Sequence, residues 1–223
     1  MMSPTFGSPP SKGLVFVLSA PSGGGKTSLC KGAVDFFGDI VHSVSYTTRP
    51  PRPGETHGQD YFFVSRREFE EMAARGEFLE WAQVFSHLYG TAASTLRSVI
   101  DGGKDIILDI DIEGARQLRQ RLAGSIHIFL LPPSLAVLED RLRGRGSDPE
   151  PVIRERLRAV RAEISHFREY NYLIVNRDLE ESILQLRAII TAERSRTSHY
   201  RLEDLGLDVG LKGPVDGSEL SRS

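Results

Sequence analysis

Four short apolar segments, each followed by an amphipathic helical segment, constrain the fold of this chain more than any other feature. The apolar segments read LVFVLS, DIILDI, SIHIFLL and YLIVN, and they occupy residues 14–19, 105–110, 125–131 and 172–176. Strands that are apolar throughout are typical of a parallel sheet, because helices cover such a sheet on both faces. The pattern therefore predicts an α/β fold with a parallel sheet and helices on both sides.

The segment at 41–91 interrupts this alternation. It contains a Pro- and Gly-rich stretch, a charged helical piece and the strand-like sequence EFLEWAQVF, so we predict a small α+β insertion. The core is then formed by residues 13–40 and 92–206. Within it, the turn-rich, charged sequence RGRGSDPEP (143–151) is a second interruption, and it precedes a long helical segment. The polar, Gly-rich ends, residues 1–12 and 207–223, are expected to be disordered tails.

Charge and cysteine content exclude several classes of protein. The chain has 28 Lys and Arg against 30 Asp and Glu, a net charge of −2, so no global positive field attracts nucleic acid or an acidic membrane. No apolar segment approaches the roughly 20 residues of a membrane span. Cys30 is the single cysteine, which excludes an internal disulfide and favours a reducing compartment. We expect a cytoplasmic protein without nucleic-acid or membrane partners, and the sequence is compatible with a homo-oligomer.

A glycine-rich motif, APSGGGKT, lies between the first apolar segment and the next helix. It fits the P-loop pattern (A or G)-x-x-x-x-G-K-(S or T), in which backbone N–H groups and a helix N-terminus surround phosphate. We expect Lys26 to contact the β- and γ-phosphates of ATP and Thr27 to bind Mg²⁺. Alanine at position 20 is compatible with the turn when its φ is negative. The motif predicts a P-loop NTPase-type core whose ATP site contains Ala20, Pro21, Ser22, Gly23, Gly24, Gly25, Lys26, Thr27 and Ser28.

Two carboxylates, Asp109 and Asp111, come at the end of the apolar strand DIILDI. Ligands of open α/β sheets bind at the carboxyl ends of strands, so both are candidates for contacts with Mg²⁺, its waters or the substrate. Asp111 has an equally good alternative role as the N-cap of the helix that begins near Glu113. The six histidines show no metal-ligand spacing, and none is assigned a function.

The sequences SYTTRPPRPGE (45–55) and GQDYFFV (58–64) resemble the nucleotide-monophosphate signature of the guanylate kinase family. The resemblance continues through LYGT, LDIDIEG, PPS and IVN, and extends from about residue 14 to residue 196. It implies transfer of the γ-phosphoryl group of ATP to GMP, giving ADP and GDP, with Mg²⁺ as cofactor. The insertion is then the GMP-binding part.

The resemblance also implies roles for individual residues. Arg49 and Arg52 would bind the GMP phosphate with the hydroxyls of Tyr61 and Tyr89, and arginine suits this task because its planar fork matches phosphate. The base would be read by four side chains, those of Ser45, Glu80, Thr91 and Asp109. Carboxylates accept from guanine N1–H and its amine, while hydroxyls face the O6 oxygen. The implied GMP site further includes Glu55 and Gly90.

The resemblance further implies a short lid at about 141–156, and this lid and the last strand contribute the remaining implied residues. The catalytic group would be Lys26, Arg49, Asp109, Arg145 and Arg156, since phosphoryl transfer depends on positioned positive charge. Arg141 and Asn176 would contact ATP, and Asp111 would reach Mg²⁺ through water. The family usually has an acidic residue after the asparagine, where this chain has Arg177.

Two alternative functions are weighed against a guanylate kinase. A related kinase for a phosphorylated sugar would share the P-loop but would not need both Glu80 and Asp109. A non-catalytic, peptide-binding relative would typically lose the phosphate loop, whereas Gly25, Lys26 and Thr27 are intact here. The sequence therefore favours an active guanylate kinase.

Overall fold

The computed structural model describes residues 13–21, 24–144 and 150–200. Within these residues the chain forms nine strands, seven α-helices and two short 3₁₀ helices, at 166–169 and 197–199. The strands are β1 (Val15–Ser19), β2 (Ile40–His42), β3 (Tyr46–Thr47), β4 (Phe62–Phe63), β5 (Phe78–Val84), β6 (His87–Ala92), β7 (Asp105–Ile110), β8 (Ile126–Leu131) and β9 (Tyr172–Val175). The helices are α1 (Lys26–Phe37), α2 (Arg66–Ala74), α3 (Ala93–Asp101), α4 (Ile112–Arg121), α5 (Leu135–Gly144), α6 (Glu150–Ser165) and α7 (Leu179–Arg194).

The predicted parallel sheet is confirmed. It has the order β2-β7-β1-β8-β9, and every pairing in it is parallel. On one face α1 and α7 pack their apolar residues against β1 and β8, and on the other α3 and α4 cover β1 and β7. All five residues of the central strand β1 are buried, as expected of a strand covered on both sides.

The predicted α+β insertion forms a second sheet of order β4-β3-β6-β5, and α2 packs on it. Its core is small and aromatic, built around Phe69, Met72, Phe78 and Leu88. The core sheet extends past the boundary predicted at residue 41, because Val41 and His42 pair with β7. With three residues, β2 is too short to show a strand periodicity in the sequence.

Several predicted segments lie outside the described residues: both tails, residues 201–206 of the core, and residues 145–149 of the lid. The described lid helices, α5 and α6, pack on each other through Leu138, Leu142, Ile153 and Val160. No helix in the described part of the chain is both long and apolar enough to cross a membrane.

Candidate functional site

A cavity of about 1000 Å³ lies at the carboxyl ends of β1, β2 and β7. The parts of the chain that line it include the start of α1, the proline-rich loop of the insertion, the turn between β5 and β6, the end of β7 and α6. The alternation of strands and helices places these parts together, since the carboxyl ends of parallel strands share one edge of the sheet.

The phosphate loop leads from β1 into α1 at one end of this cavity. Gly25 has φ +95°, a value that L-residues with a side chain rarely adopt, and it precedes α1 without a side-chain cap. A Cβ on Gly24 would lie 2.6 Å from Cβ of Ala20, so alanine at the first position requires glycine here. The φ of Ala20 is not positive, as the sequence required. Ser22 and Gly23 lie outside the described residues, and Pro21 is buried beneath the loop.

The first residues of α1 present their polar groups to the cavity. Lys26, Thr27 and Ser28 all line it, and Lys26 Nζ donates a long hydrogen bond of 3.5 Å to the carbonyl of Ala20. The N-terminal N–H groups of a helix have no partner within the helix and carry the positive end of its dipole. This end of the cavity is therefore suited to phosphate.

Asp109 lies near the end of β7 with its side chain 10% exposed, and both of its carboxylate oxygens are engaged. Oδ2 accepts from the hydroxyl of Thr27 at 3.0 Å, and Oδ1 accepts from Nε2 of His42 at 3.0 Å. Burial alone would raise the pKa of Asp109, but the hydrogen bond and charge of His42, the charge of Lys26 and the Thr27 hydroxyl together hold it below the ordinary value. Asp109 is therefore an ionised group of the phosphate-loop end.

Asp111 takes the capping role that the sequence left as its alternative. Its Oδ1 accepts a hydrogen bond from the backbone N–H of Gly114 at 2.9 Å, and Asp111 is thereby the N-cap of α4. Its charge also raises the pKa of Glu80. We predicted that Asp109 would read the base and take part in catalysis, and that Asp111 would reach the metal through water. Both carboxylates line both the main cavity and the smaller cavity described below, and Asp109 also contacts Thr27.

The proline-rich loop of the insertion holds two arginines against the cavity. Arg49 is 9% exposed, donates to Glu55 Oε1 at 2.7 Å, and lies over the ring of Tyr61. The other oxygen of Glu55 accepts from the backbone N–H of Arg52 at 2.7 Å. Glu55 lines the cavity, and its two hydrogen bonds to Arg49 and Arg52 also stabilise the conformation of the loop. The rings of Tyr61 and Tyr89 meet edge to face on the same wall.

A smaller cavity of about 30 Å³ adjoins the first, and its lining includes Ser45, Glu80, Gly90, Asp109 and Asp111. Glu80 is 2% exposed, and its Oε1 has no hydrogen-bond partner among the described residues. Burial raises the pKa of Glu80 to about 7, the neighbouring Thr91 opposes that rise, and the charge of Asp111 adds to it. Thr91, which is fully buried, pairs with Glu80 across β5 and β6.

Two glycines make room around this smaller cavity. A Cβ on Gly114 would lie 2.3 Å from Glu80 Oε2, so the helix α4 can approach the carboxylate only because this residue has no side chain. A Cβ on Gly90 would lie 2.9 Å from Cβ of Trp81. Gly90 therefore serves the packing of the second sheet as well as the lining of the cavity.

Arg141 and Asn176, predicted to contact ATP, do not line the cavity formed by the described residues. Nδ2 of Asn176 donates to the carbonyl of Gly24 at 3.0 Å, and Arg141 donates to the backbone oxygen of Asn176 at 3.2 Å. Asn176 therefore contacts the phosphate loop directly, and Arg141 contacts it through Asn176. Arg156 does line the cavity, with its guanidinium 5.0 Å from the ring centre of Phe85. Arg145 lies outside the described residues.

Sequence reasoning missed His42 and Phe85, which both line the cavity. His42 ends β2, and the rule that strand ends carry ligand contacts would have found it if β2 had been assigned to the core sheet. Phe85 has φ 54°, the one positive value among the described non-glycine residues, and it turns β5 into β6. No sequence pattern marks that conformation.

Comparisons with known proteins agree with this architecture. A family model described as guanylate kinase matches residues 12–193. Guanylate kinase of Geobacter sulfurreducens is 51% identical over 187 residues, which cover 84% of this chain and 92% of that relative. Guanylate kinase of Escherichia coli K12 is 48% identical over 192 residues, which cover 85% and 93%. The crystal structure of guanylate kinase from Anaplasma phagocytophilum superposes with a TM-score of 0.75 at 34% identity, over 92% of this chain and 100% of that chain.

Proposed function

This chain belongs to the guanylate kinase family, and we propose that the cavity described above is where it transfers the γ-phosphoryl group of ATP to GMP. The enzyme is an ATP:GMP phosphotransferase. One observation carries the location: the cavity at the glycine loop and the helix N-terminus adjoins the smaller cavity of Glu80, a buried carboxylate whose Oε1 has no partner among the described residues.

The ATP phosphates would bind at the start of α1. Backbone N–H groups of the loop and helix would surround them, and Lys26 would supply a mobile positive charge. Asn176 and Arg141 would act indirectly here, since they hold the carbonyl side of the loop in place. Replacing either should therefore disturb the loop rather than remove a direct ATP contact.

The residues at this end fit a magnesium ion. The Thr27 hydroxyl donates its hydrogen to Asp109, which leaves its oxygen lone pairs for a cation, and Asp111 has one oxygen outside its cap. No cluster of three or more His, Cys, Asp or Glu suited to a metal occurs among the described residues. Mg²⁺ usually takes one or two protein groups plus phosphates and water, so this sparse set suits it. Bound magnesium would neutralise charge on the transferred phosphoryl group.

GMP would enter with its phosphate toward the loop of Arg49 and Arg52. Glu55 holds both residues in register, one through its guanidinium and one through its backbone. Burial raises the pKa of the Tyr61 hydroxyl above its ordinary value, so this group stays a neutral hydrogen-bond donor. Arg156 of α6 would then meet the charge that spreads over the phosphoryl oxygens during transfer.

The guanine base would occupy the smaller cavity. Glu80 offers acceptors to guanine N1–H and to its exocyclic amine, and the orphaned Oε1 would gain a partner. Adenine presents an unprotonated N1 at the same place, which would set a lone pair against a buried carboxylate. Ser45, Asp109 and Asp111 line the same space, and Thr91 lies across from Glu80.

The test is the rate of ADP production with ATP and MgCl₂ against GMP, AMP, CMP and UMP. A site built to hydrogen-bond one group rejects an analogue that lacks it by about 10⁴-fold, so we expect GMP to exceed AMP by that order in kcat/KM. Glu80→Gln should reduce kcat/KM for GMP by roughly 2 kcal/mol and narrow the GMP:AMP ratio. Equal rates with AMP would refute the guanine assignment, and an unchanged ratio in the variant would show that Glu80 does not read the base.

A further inference from the structure

His42 makes a contact that the reaction scheme above leaves unused. It ends β2, the edge strand of the core sheet, and its side chain is 21% exposed on the wall of the main cavity. Its Nε2 donates to Oδ1 of Asp109, a carboxylate that is only 10% exposed. A residue that only filled space at this position would not need a nitrogen there.

Asp109 connects His42 to the start of α1. Its second oxygen accepts from the Thr27 hydroxyl at 3.0 Å, so the hydrogen of Thr27 points at Asp109 and the lone pairs point elsewhere. The three side chains come from β2, β7 and α1, which are separate elements that meet at one edge of the sheet. With one donor on each oxygen, the Asp109 carboxylate has a single favourable rotation.

We propose that His42 is a positioning residue that orients the Thr27 hydroxyl through Asp109 and so prepares the phosphate-loop end of the site for the nucleotide-bound magnesium ion. The role rests on the proposed function, because it concerns the same cavity. Without His42, Oδ1 of a buried carboxylate would lose its donor, and Asp109 could rotate to seek another.

The matched variants are His42→Gln and His42→Met. Glutamine can place an amide N–H near the position of Nε2, whereas methionine has the same length and no donor. The first readout is the affinity for ADP by calorimetry, with MgCl₂ and with EDTA, which needs no turnover. Outer-shell partners of a metal site typically matter by about 10- to 100-fold, so we expect His42→Met to lose about 10-fold of the Mg²⁺-dependent gain in ADP affinity. Its affinity in EDTA should stay near that of the wild type.

The second readout is the division between kcat and KM. His42→Met should lower kcat with little change in KM for GMP. His42→Gln should retain most of the wild-type kcat and most of the Mg²⁺-dependent gain in ADP affinity. His166→Met, a change of an exposed histidine paired with Glu169 away from the cavity, is the control. Should His42→Met unfold, His42→Leu replaces it, with a thermal melt of each variant.

Two results would overturn the proposal. One is wild-type Mg²⁺ dependence of ADP binding in His42→Met or His42→Leu, and the other is a His42→Gln variant as impaired as His42→Met. Failure of the proposed function would look different, because the wild-type enzyme would then lack GMP-dependent ADP production whatever stands at position 42.

Discussion

Glu80 is a destabilising residue in the ligand-free protein. It is 2% exposed, and its Oε1 has no hydrogen-bond partner among the described residues. A buried acceptor that lacks a partner costs free energy, and a buried charge costs more. The raised pKa, about 7, expresses that cost, since the protein favours the protonated form. A guanine base would relieve it, which is how such a residue selects its ligand.

The first prediction is that Glu80→Gln stabilises the free enzyme at pH 8 but not at pH 5. The pKa of Glu80 in the folded protein, about 7, is above its ordinary value of 4.5, so the folded state binds more protons than the unfolded state between these values. Stability of the wild type therefore falls as the pH rises through this window. The variant, which cannot ionise, should gain on the order of 3 kcal/mol over the wild type by pH 8.

Urea unfolding of both proteins at pH 5 and pH 8, without nucleotide, measures this difference. Glu77→Gln is the control, because Glu77 is 42% exposed and paired with Arg75. A stability difference between Glu80→Gln and wild type that stays constant with pH would show that Glu80 is not held protonated by burial.

At the scale of elements, α4 determines where the base-reading strand lies. One face of this core helix follows β5, the edge strand of the second sheet. Asp111 begins the helix, Gly114 gives Glu80 its space, and Gln117 bonds both backbone groups of Trp81, at 3.3 and 2.8 Å. The helix thus bonds to the edge strand β5 on the side where a further strand would otherwise pair. Glu80 lies next to Trp81 on this strand, close to Asp111 and Gly114 of the helix.

We predict that Gln117→Ala weakens GMP selection without touching the nucleotide. Loss of the two hydrogen bonds to Trp81 should loosen β5 and lower kcat/KM for GMP by about 1–2 kcal/mol, mainly through KM. The value of kcat/KM for AMP should fall less, so the ratio of kcat/KM for GMP to that for AMP becomes smaller. Gln120→Ala changes an exposed glutamine of the same helix and should behave as wild type. Equal effects of the two changes would mean that α4 does not position Glu80.

On the scale of the whole molecule, an ion-pair network ties the sheet together at the edge opposite to the cavity. Asp105 at the start of β7 is 3% exposed, accepts from the backbone N–H of Leu14 at 2.7 Å and pairs with Arg194 at 2.8 Å. Arg194 ends α7 and also pairs with Asp39, just before β2. The network therefore joins the beginnings of three strands to the last helix.

Arg194→Met should lower the free energy of unfolding without changing the chemistry of the site. Removing one partner leaves Asp105 as a buried, unpaired charge, and such losses cost about 3 kcal/mol or more. Urea midpoints measure the loss, and kcat and KM of the folded fraction should stay near the wild-type values. Arg67→Met removes an exposed pair with Glu71 and should cost under about 1 kcal/mol. A destabilisation no larger than that of Arg67→Met would contradict the structural role of the network.

The sequence alone determined the core sheet, because each of its longer strands carries its own signal. DIILDI becomes β7 residue for residue, and a helix follows each of the four apolar segments as predicted, since apolar runs and helical periodicity are local properties of the chain. The phosphate loop is equally local: its glycines, lysine and helix start are consecutive residues. The family resemblance followed from such contiguous motifs.

Only the tertiary structure decided which side chains share the site. It set Asp109 against Thr27 and His42, Asp111 against Glu80, and Asn176 behind Gly24. His42 and Asp109 are 67 residues apart in the sequence, and Asn176 and Gly24 are 152 residues apart. Such contacts depend on which strand ends adjoin in the sheet, and that order follows from packing of the whole domain, which no local pattern encodes.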